Sequence, residues 1–243
     1  MTVKDVLTVL DNFAPFDTQL DFDNSGLLVG NENDSVTKIG IALDATNDVI
    51  NKAVNSNCDL LITHHPIIFD ALKQMDTSSL PALCIKKGLN VISVHTNFDI
   101  AKGGVNDCLA KKLELENVQP LSDMARVGYK HFENATCFAK FLKEKLDCSV
   151  KFTNVNAPIE KIAICGGSGA CYMQDAIINN CDALVTGEAK HNNRIDAVNL
   201  DFALFECGHF NTEKFIKEKI YEILSLNNFC CEIIEEKDPA EYI

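Results

Sequence analysis

The chain has 243 residues, 47% of them hydrophobic, and a formal charge of −13 from 22 basic and 35 acidic side chains. That length holds one large domain or two modest ones. Nucleic acid is not expected as a main partner, because a duplex-binding surface needs clustered Lys and Arg to displace counterions and no basic run exists here. No apolar run reaches the roughly 18 residues that would span a bilayer.

The opening stretch MTVKDVLTVLDNFAPF carries one early lysine and no small-residue cleavage site. It reads as an amphipathic helix ending before Pro15 rather than as a secretion signal, so the expected location is the cytoplasm. The eleven cysteines include no Cys-x-x-Cys pair, and residues such as Cys58 and Cys165 read as reduced, small core side chains.

Residues 38–65 (KIGIALDATNDVINKAVNSNCDLLITHH) return as residues 161–188 (KIAICGGSGACYMQDAIINNCDALVTGE). At a constant offset of 123, 9 of the 28 positions are identical, including Asn57-Cys58-Asp59 against Asn180-Cys181-Asp182. Each copy reads as a strand (Ile39 to Leu43; Ile162 to Cys165), a small-residue turn, a helix and a short apolar strand (CDLLIT; CDALVT). In the first copy Val49, Ile50, Ala53 and Val54 share a helical face, with Thr46 as cap. Continuous apolar strands between helices predict a parallel sheet covered on both faces.

The likeness continues through NVISVHTNFD (90–99) and DFALFECGHFNTE (201–213), each a strand running into a turn and then a helix, Val105 to Leu113 and Phe210 to Leu226. Between the copies, a helix is predicted around Ala135–Leu146 and a strand over Cys148–Phe152. The expected fold is therefore α/β, with two similar domains, 1–122 and 123–243. Each is expected to be a mostly parallel sheet flanked by helices, with a metal site at the strand C-terminal ends between them. The strand Cys230–Glu235 can return to either sheet, so the C-terminal segment can pack back on the first domain.

In α/β proteins, ligands gather where parallel strands end. His64 and His65 close LLIT, His95 ends NVISV with Asp99 in the turn beyond, and His209 follows FALFEC. Adjacent side chains on extended backbone point to opposite sides, so His64 and His65 can each serve one of two ions if the chain turns at Pro66. His209 and Glu213, spaced i, i+4 at a helix start, share one face. Three imidazoles and two carboxylates suit Zn²⁺, Fe²⁺, Mn²⁺, Co²⁺ or Ni²⁺ better than Mg²⁺ or Ca²⁺. A lone histidine after a strand is more often structural; His64, His65 and His209, three of the chain's six, together with the helical His-x-x-x-Glu, are what favours ligation. His95 has two readings, a group orienting a ligand or substrate and a capped turn histidine. Glu188 and His191, in TGEAKHNN, are either proton carriers facing the same cavity or polar groups at a helix start. His131 reads as an exposed residue. No Gly-x-x-x-x-Gly-Lys loop is present, and Gly166-Gly167-Ser168-Gly169 is read as a tight turn in preference to an anion cradle.

ITHHP (62–66), HTNFD with GGVN (95–106), TGE (186–188), GHFNTE (208–213) and DFDNSGLLVG (21–30) together resemble the GTP cyclohydrolase 1 type 2 homologue family. Its members are also called dinuclear-metal-centre hexameric, or Nif-three-like, proteins. The resemblance runs nearly end to end and matches the form without a long insertion between the halves. It implies a toroidal homohexamer, a trimer of dimers, with two divalent metal ions per subunit held by His64, His65, Asp99, His209 and Glu213.

The family name implies opening of the guanine imidazole ring of GTP. The leading expectation is thus metal-dependent hydrolysis of a nucleotide, with His95 or Glu188 moving protons. One alternative is a metal-delivery or metallocofactor-assembly protein; another is a hexameric regulatory scaffold that the metal only stabilises.

Overall fold

Three runs of four consecutively buried residues, Ile39–Ala42, Leu60–Thr63 and Asn90–Ser93, form the parallel centre of the first sheet. Strands buried on both faces lose the polar alternation of a one-sided sheet, which is why their sequence reads as unbroken apolar runs. The structure is a computed structural model and describes residues 1–241. It divides into two compact units: Met1–Gly104 with Ile216–Lys237, and Val105–Phe215 with the segment beginning at Asp238.

The first unit opens with α1 (Val3–Phe13), whose start is fixed by a capping box. The Thr2 backbone N–H donates to the Asp5 carboxylate at 2.7 Å, and the Asp5 N–H donates to the Thr2 hydroxyl at 3.3 Å. Then come β1 (Gly26–Val29), β2 (Ile39–Ala42), α2 (Asn47–Asn55), β3 (Leu60–Thr63), α3 (Leu80–Lys87), β4 (Asn90–Ser93) and the single turn α4 (Thr96–Ile100). Thr46 caps α2 as expected, accepting from the Val49 N–H at 3.2 Å.

The second unit contains α5 (Val105–Lys112), β5 (Glu116–Pro120), β6 (Arg126–Phe132), α6 (Ala135–Leu146), β7 (Lys151–Phe152), β8 (Ile159–Cys165), α7 (Met173–Ile178), β9 (Ala183–Thr186), α8 (His191–Asn199), β10 (Ala203–Glu206) and α9 (His209–Glu213). The chain then returns to the first unit through α10 (Ile216–Leu226) and β11 (Cys231–Ile233).

The first sheet runs β1-β4-β3-β2-β11, with only β1 antiparallel. β11 pairs with β2, Ile233 beside Ile41, so the C-terminal strand joins the first sheet. The second sheet runs β5-β6-β8-β9-β10-β7. Here the expectation of a mostly parallel sheet needs correction. β8, β9 and β10 are parallel, but β6 is antiparallel to β8, β5 to β6 and β7 to β10. β5 and β6 are absent from the sequence reading because they lack the buried apolar signature. β6 is buried only over its first three residues, and Tyr129 is exposed.

The single helix predicted from Phe210 to Leu226 is two helices. Phe215 packs into the core of the second unit, whereas Ile216, Ile220 and Leu224 are buried in α10 of the first. The first helix ends at Glu213 and the second begins at Ile216, where the chain passes from the second unit to the first.

Register decides where chemistry can sit. Ala42, Thr63 and Ser93 lie side by side at the C-terminal ends of β2, β3 and β4. The residues just beyond, Asp44, His64, His65 and His95, therefore leave the first sheet along one edge. In the second sheet Cys165, Thr186 and Glu206 are likewise level. Gly166-Gly167, Gly187-Glu188 and Gly208-His209 emerge together there.

Candidate metal centre

The first unit builds a cluster of imidazoles from the backbone upward. Beyond β3 the chain turns at once. The His65 carbonyl accepts from the Thr63 hydroxyl at 2.8 Å and from the Ser93 hydroxyl at 3.3 Å, while the His65 N–H donates to the Leu43 carbonyl at 3.0 Å. This turn overrides the alternation of an extended strand. The rings of His64 and His65 come within 4.9 Å, centroid to centroid, and His95 lies 5.3 Å from the first and 5.6 Å from the second. One ring nitrogen from each of the three lies within 4.8 Å of the others.

The other ring nitrogen of each histidine is held by an oxygen. His64 Nδ1 is 2.8 Å from the Val94 carbonyl, His65 Nδ1 2.8 Å from Asp44 Oδ1, and His95 Nδ1 2.7 Å from Asp23 Oδ1. A carbonyl or an ionised carboxylate only accepts, so Nδ1 carries a proton and Nε2 is the nitrogen left to offer a metal. Burial opposes ionisation of Asp23, but hydrogen bonds from His95 and Thr96 outweigh it and hold its carboxyl well below the usual carboxylate range. Asp23 thus stays a carboxylate against His95. Oxygen acceptors that orient histidines through Nδ1 are the usual outer layer of a metal site. Asp99, in the first turn of α4, is buried with Oδ1 3.7 Å from His64 Nε2. Of the predicted residues, the first unit therefore brings His64, His65, His95 and Asp99 together.

The second unit supplies an imidazole and carboxylates of its own. Gly208, at φ +86, makes the turn out of β10, and α9 places His209 Nε2 3.0 Å from Glu213 Oε2. Thr212 ties this turn down: its hydroxyl lies 2.9 Å from the His209 carbonyl and receives the Gly167 N–H at 3.1 Å. Gly167 is left-handed, at φ +56, and a β-carbon there would stand 2.2 Å from Glu213 Oε1. The Gly166-Gly167 turn is thus a cradle for the Glu213 carboxylate. Glu188 is exposed; Ser168 Oγ donates to it at 3.0 Å, and its Oε2 lies 3.6 Å from His209 Nδ1, on the ring edge opposite Glu213. His191 opens α8 as an exposed residue, and His131 is exposed 3.1 Å from Glu160.

Metal-type donor groups are what the structure offers. Imidazoles held through one nitrogen, and buried carboxylates in each unit (Asp99 in the first, Glu213 in the second), are donor types that match the mixed preference of Zn²⁺ and its redox-active neighbours. Asp44 and Asp23 were not singled out from the sequence. Their signal was positional: Asp44 stands just past β2, on the edge that carries the histidines, and Asp23 sits inside DFDNSG. Asn106 of GGVN was also passed over; it is buried, and its side-chain oxygen accepts the Gly166 N–H at 2.8 Å. Replacing Asp44 with asparagine should weaken divalent-ion affinity by about 10-fold to 100-fold, the range for groups that orient a ligating histidine. Chelator competition with Zn²⁺ measures it, and unchanged affinity would remove Asp44 from the site.

The fold and these side chains define a mixed α/β protein with two helix-flanked sheets and histidine–carboxylate groups able to hold metal at the strand ends. The Duf34/NIF3 (NGG1p interacting factor 3) family matches residues 1–239, and the chain belongs to that family. A GTP cyclohydrolase 1 type 2 homolog of Clostridium perfringens is 31% identical over 262 aligned residues, spanning all of both chains. A GTP cyclohydrolase 1 type 2 of Helicobacter pylori is 32% identical over 251 residues, covering 99% of each. Among solved structures, a hypothetical protein of Staphylococcus aureus superposes with a TM-score of 0.93 at 27% identity, covering 100% of this chain and 99% of that one. No helix among the described residues is long and apolar enough to cross a membrane.

Proposed function

We propose that this chain is a metal-dependent hydrolase acting on a nucleotide, and that His64, His65, Asp99, His209 and Glu213 together hold two divalent ions. The carrying observation is the first unit's set of three histidines, each with Nδ1 against an oxygen and its second nitrogen turned to its neighbours. The names of the relatives support GTP as the first substrate to try. Divalent ions would supply Lewis acidity and a water acidified towards neutrality.

The protein's own groups do the rest. His64 and Asp99 are buried, which strengthens any charge interaction made there. Asp44 and Asp23 keep His65 and His95 in the tautomer that presents Nε2. His95, held by an ionised Asp23, is the group placed to take up a proton and share its charge with a carboxylate. Glu188, exposed beside His209, is the second group placed to exchange protons with solvent. We further propose self-assembly into a homohexamer. The exposed apolar side chains Ile178, Ile195, Val198 and Leu200, on or beside α7 and α8, support a protein–protein surface.

Metal analysis of the purified protein, paired with a nucleotide-hydrolysis screen under several metals, tests the reading. Two equivalents per chain and ring-opened product are expected. Glu213→Ala should lose metal and turnover together; full metal content in that variant would overturn the ligand set. Two equivalents with no turnover of any nucleotide, and transfer of the ions to an apoprotein, would replace hydrolysis by metal delivery.

A further inference from the structure

The loop after β2 is held from the far end of the chain. β11 runs beside β2, and the ladder continues one residue further, the Ile234 N–H donating to the Ile41 carbonyl at 2.8 Å. Two residues on, Glu236 closes over the C-terminal end of β2. Its Oε1 accepts from the Leu43 N–H at 2.5 Å and its Oε2 from the Asp44 N–H at 3.2 Å. Lys217 of α10 donates to Oε1 at 2.8 Å. Both charged side chains are buried, with 9% and 6% of their surface exposed, so solvent contributes little to holding them.

The two amides gripped by Glu236 belong to residues that set His65. Asp44 Oδ1 accepts from His65 Nδ1 at 2.8 Å, and the Leu43 carbonyl accepts from the His65 N–H at 3.0 Å. Asp44 has a partly exposed side chain on a loop, a poor platform for fixing an imidazole unless its backbone is pinned. A buried ion pair is a costly way to cover a sheet edge, since an apolar pair of the same volume often serves stability as well or better. What the carboxylate gives that an apolar side chain cannot is two directed acceptors, one for each amide.

We propose that Glu236, neutralised by Lys217, is a positioning residue that fixes Leu43 and Asp44 and through them the tautomer and direction of His65. It rests on the reading of His65 as a metal ligand. The path is continuous: Lys217 to Glu236, Glu236 to the Asp44 amide, Asp44 to His65 Nδ1. The last stretch of the first unit thereby governs a group presented near its middle.

The test uses the full chain in three forms: wild type, Glu236→Gln and the double variant Lys217→Met/Glu236→Gln. The double variant removes both charges of the pair, so it decides the question should the single variant fail to fold. Chelator competition with Zn²⁺ should show about tenfold weaker binding in both, the lower end of the range for groups that orient a ligand. On a His65→Ala background the same substitutions should add nothing, because their effect passes through His65. Imidazole ¹⁵N shifts of the metal-free proteins give a readout independent of any ion. Wild-type His65 should report a single Nδ1–H tautomer, and the variants a mixture. Unchanged shifts in a folded variant, or losses that multiply with His65→Ala, would overturn the proposal. Failure of the wild type to bind Zn²⁺ would instead overturn the metal reading, and the shifts would still decide the role of Glu236.

Discussion

Gly167→Ala should strip metal from the second unit's ligand pair while leaving the chain folded. The β-carbon would stand 2.2 Å from Glu213 Oε1 and 3.2 Å from His209 Nε2, and both atoms belong to groups proposed to bind the ions. Glu213 is buried, so the carboxylate has little room to retreat. It must rotate away from His209 Nε2, now 3.0 Å from its other oxygen. The left-handed backbone adds a cost of about 1–2 kcal/mol for any residue with a side chain. Gly88→Ala separates the two effects, because Gly88 is also left-handed, at φ +66, with nothing within 4 Å of an added β-carbon. Both variants carry the left-handed backbone cost, but only Gly167→Ala adds the clash with Glu213 and should lose metal in an equilibrium dialysis measurement. Wild-type metal content in Gly167→Ala would show that the Glu213 carboxylate is not a ligand.

Phe138→Ala should destabilise the second unit by about 3–5 kcal/mol, the range for emptying an aromatic site in a close-packed core. Phe138 is fully buried in α6. Its ring stacks on Phe132 at 4.5 Å and meets Phe205 edge-on at 4.7 Å. Those three rings join α6, β6 and β10, so no single element can relax to fill the space. Phe152, on the edge strand β7, stacks on the other neighbour of this set, Phe205, at 5.6 Å, but it is partly exposed. Phe152→Ala should cost only about 1 kcal/mol beyond its smaller area. Urea unfolding followed by far-ultraviolet circular dichroism gives both values. A loss below about 1 kcal/mol for Phe138→Ala would mean that the cluster is not the second unit's core.

How much of this was legible in the sequence depends on the kind of signal. β2, β3, β4, β9 and β10 were readable because each is short, apolar and buried on both faces, and the helices between them carry caps such as Thr46. β5 and β6 were not, since Glu116, Asn117, Tyr129, Lys130 and His131 break the apolar run. A strand with one exposed face at the margin of a sheet need not advertise itself. The break before Ile216 was hidden for another reason. Phe215 and Ile216 are both apolar, and only tertiary structure shows that they serve different cores.

The site divides in the same way. His64, His65, His95 and His209 stood out as rare residues at strand ends. Asp23, Asp44 and Glu236 did not, because in a chain with 35 acidic residues a carboxylate is unremarkable until its partner is known. Composition can nominate ligands; the groups that aim them become visible only when the hydrogen bonds are drawn.

The placement of β11 has a consequence for how the protein is made. The strands of the second sheet all lie between Glu116 and Glu206, whereas the first sheet waits for Cys231–Ile233 to cover the open edge of β2. On the ribosome, the later unit can complete its ladder while the earlier one still displays an unpaired parallel edge. Maturation of the first unit then follows that of the second, inverting the usual N-to-C order of domain folding. Until translation reaches that final strand, β2 is the edge most open to mispairing in the nascent chain.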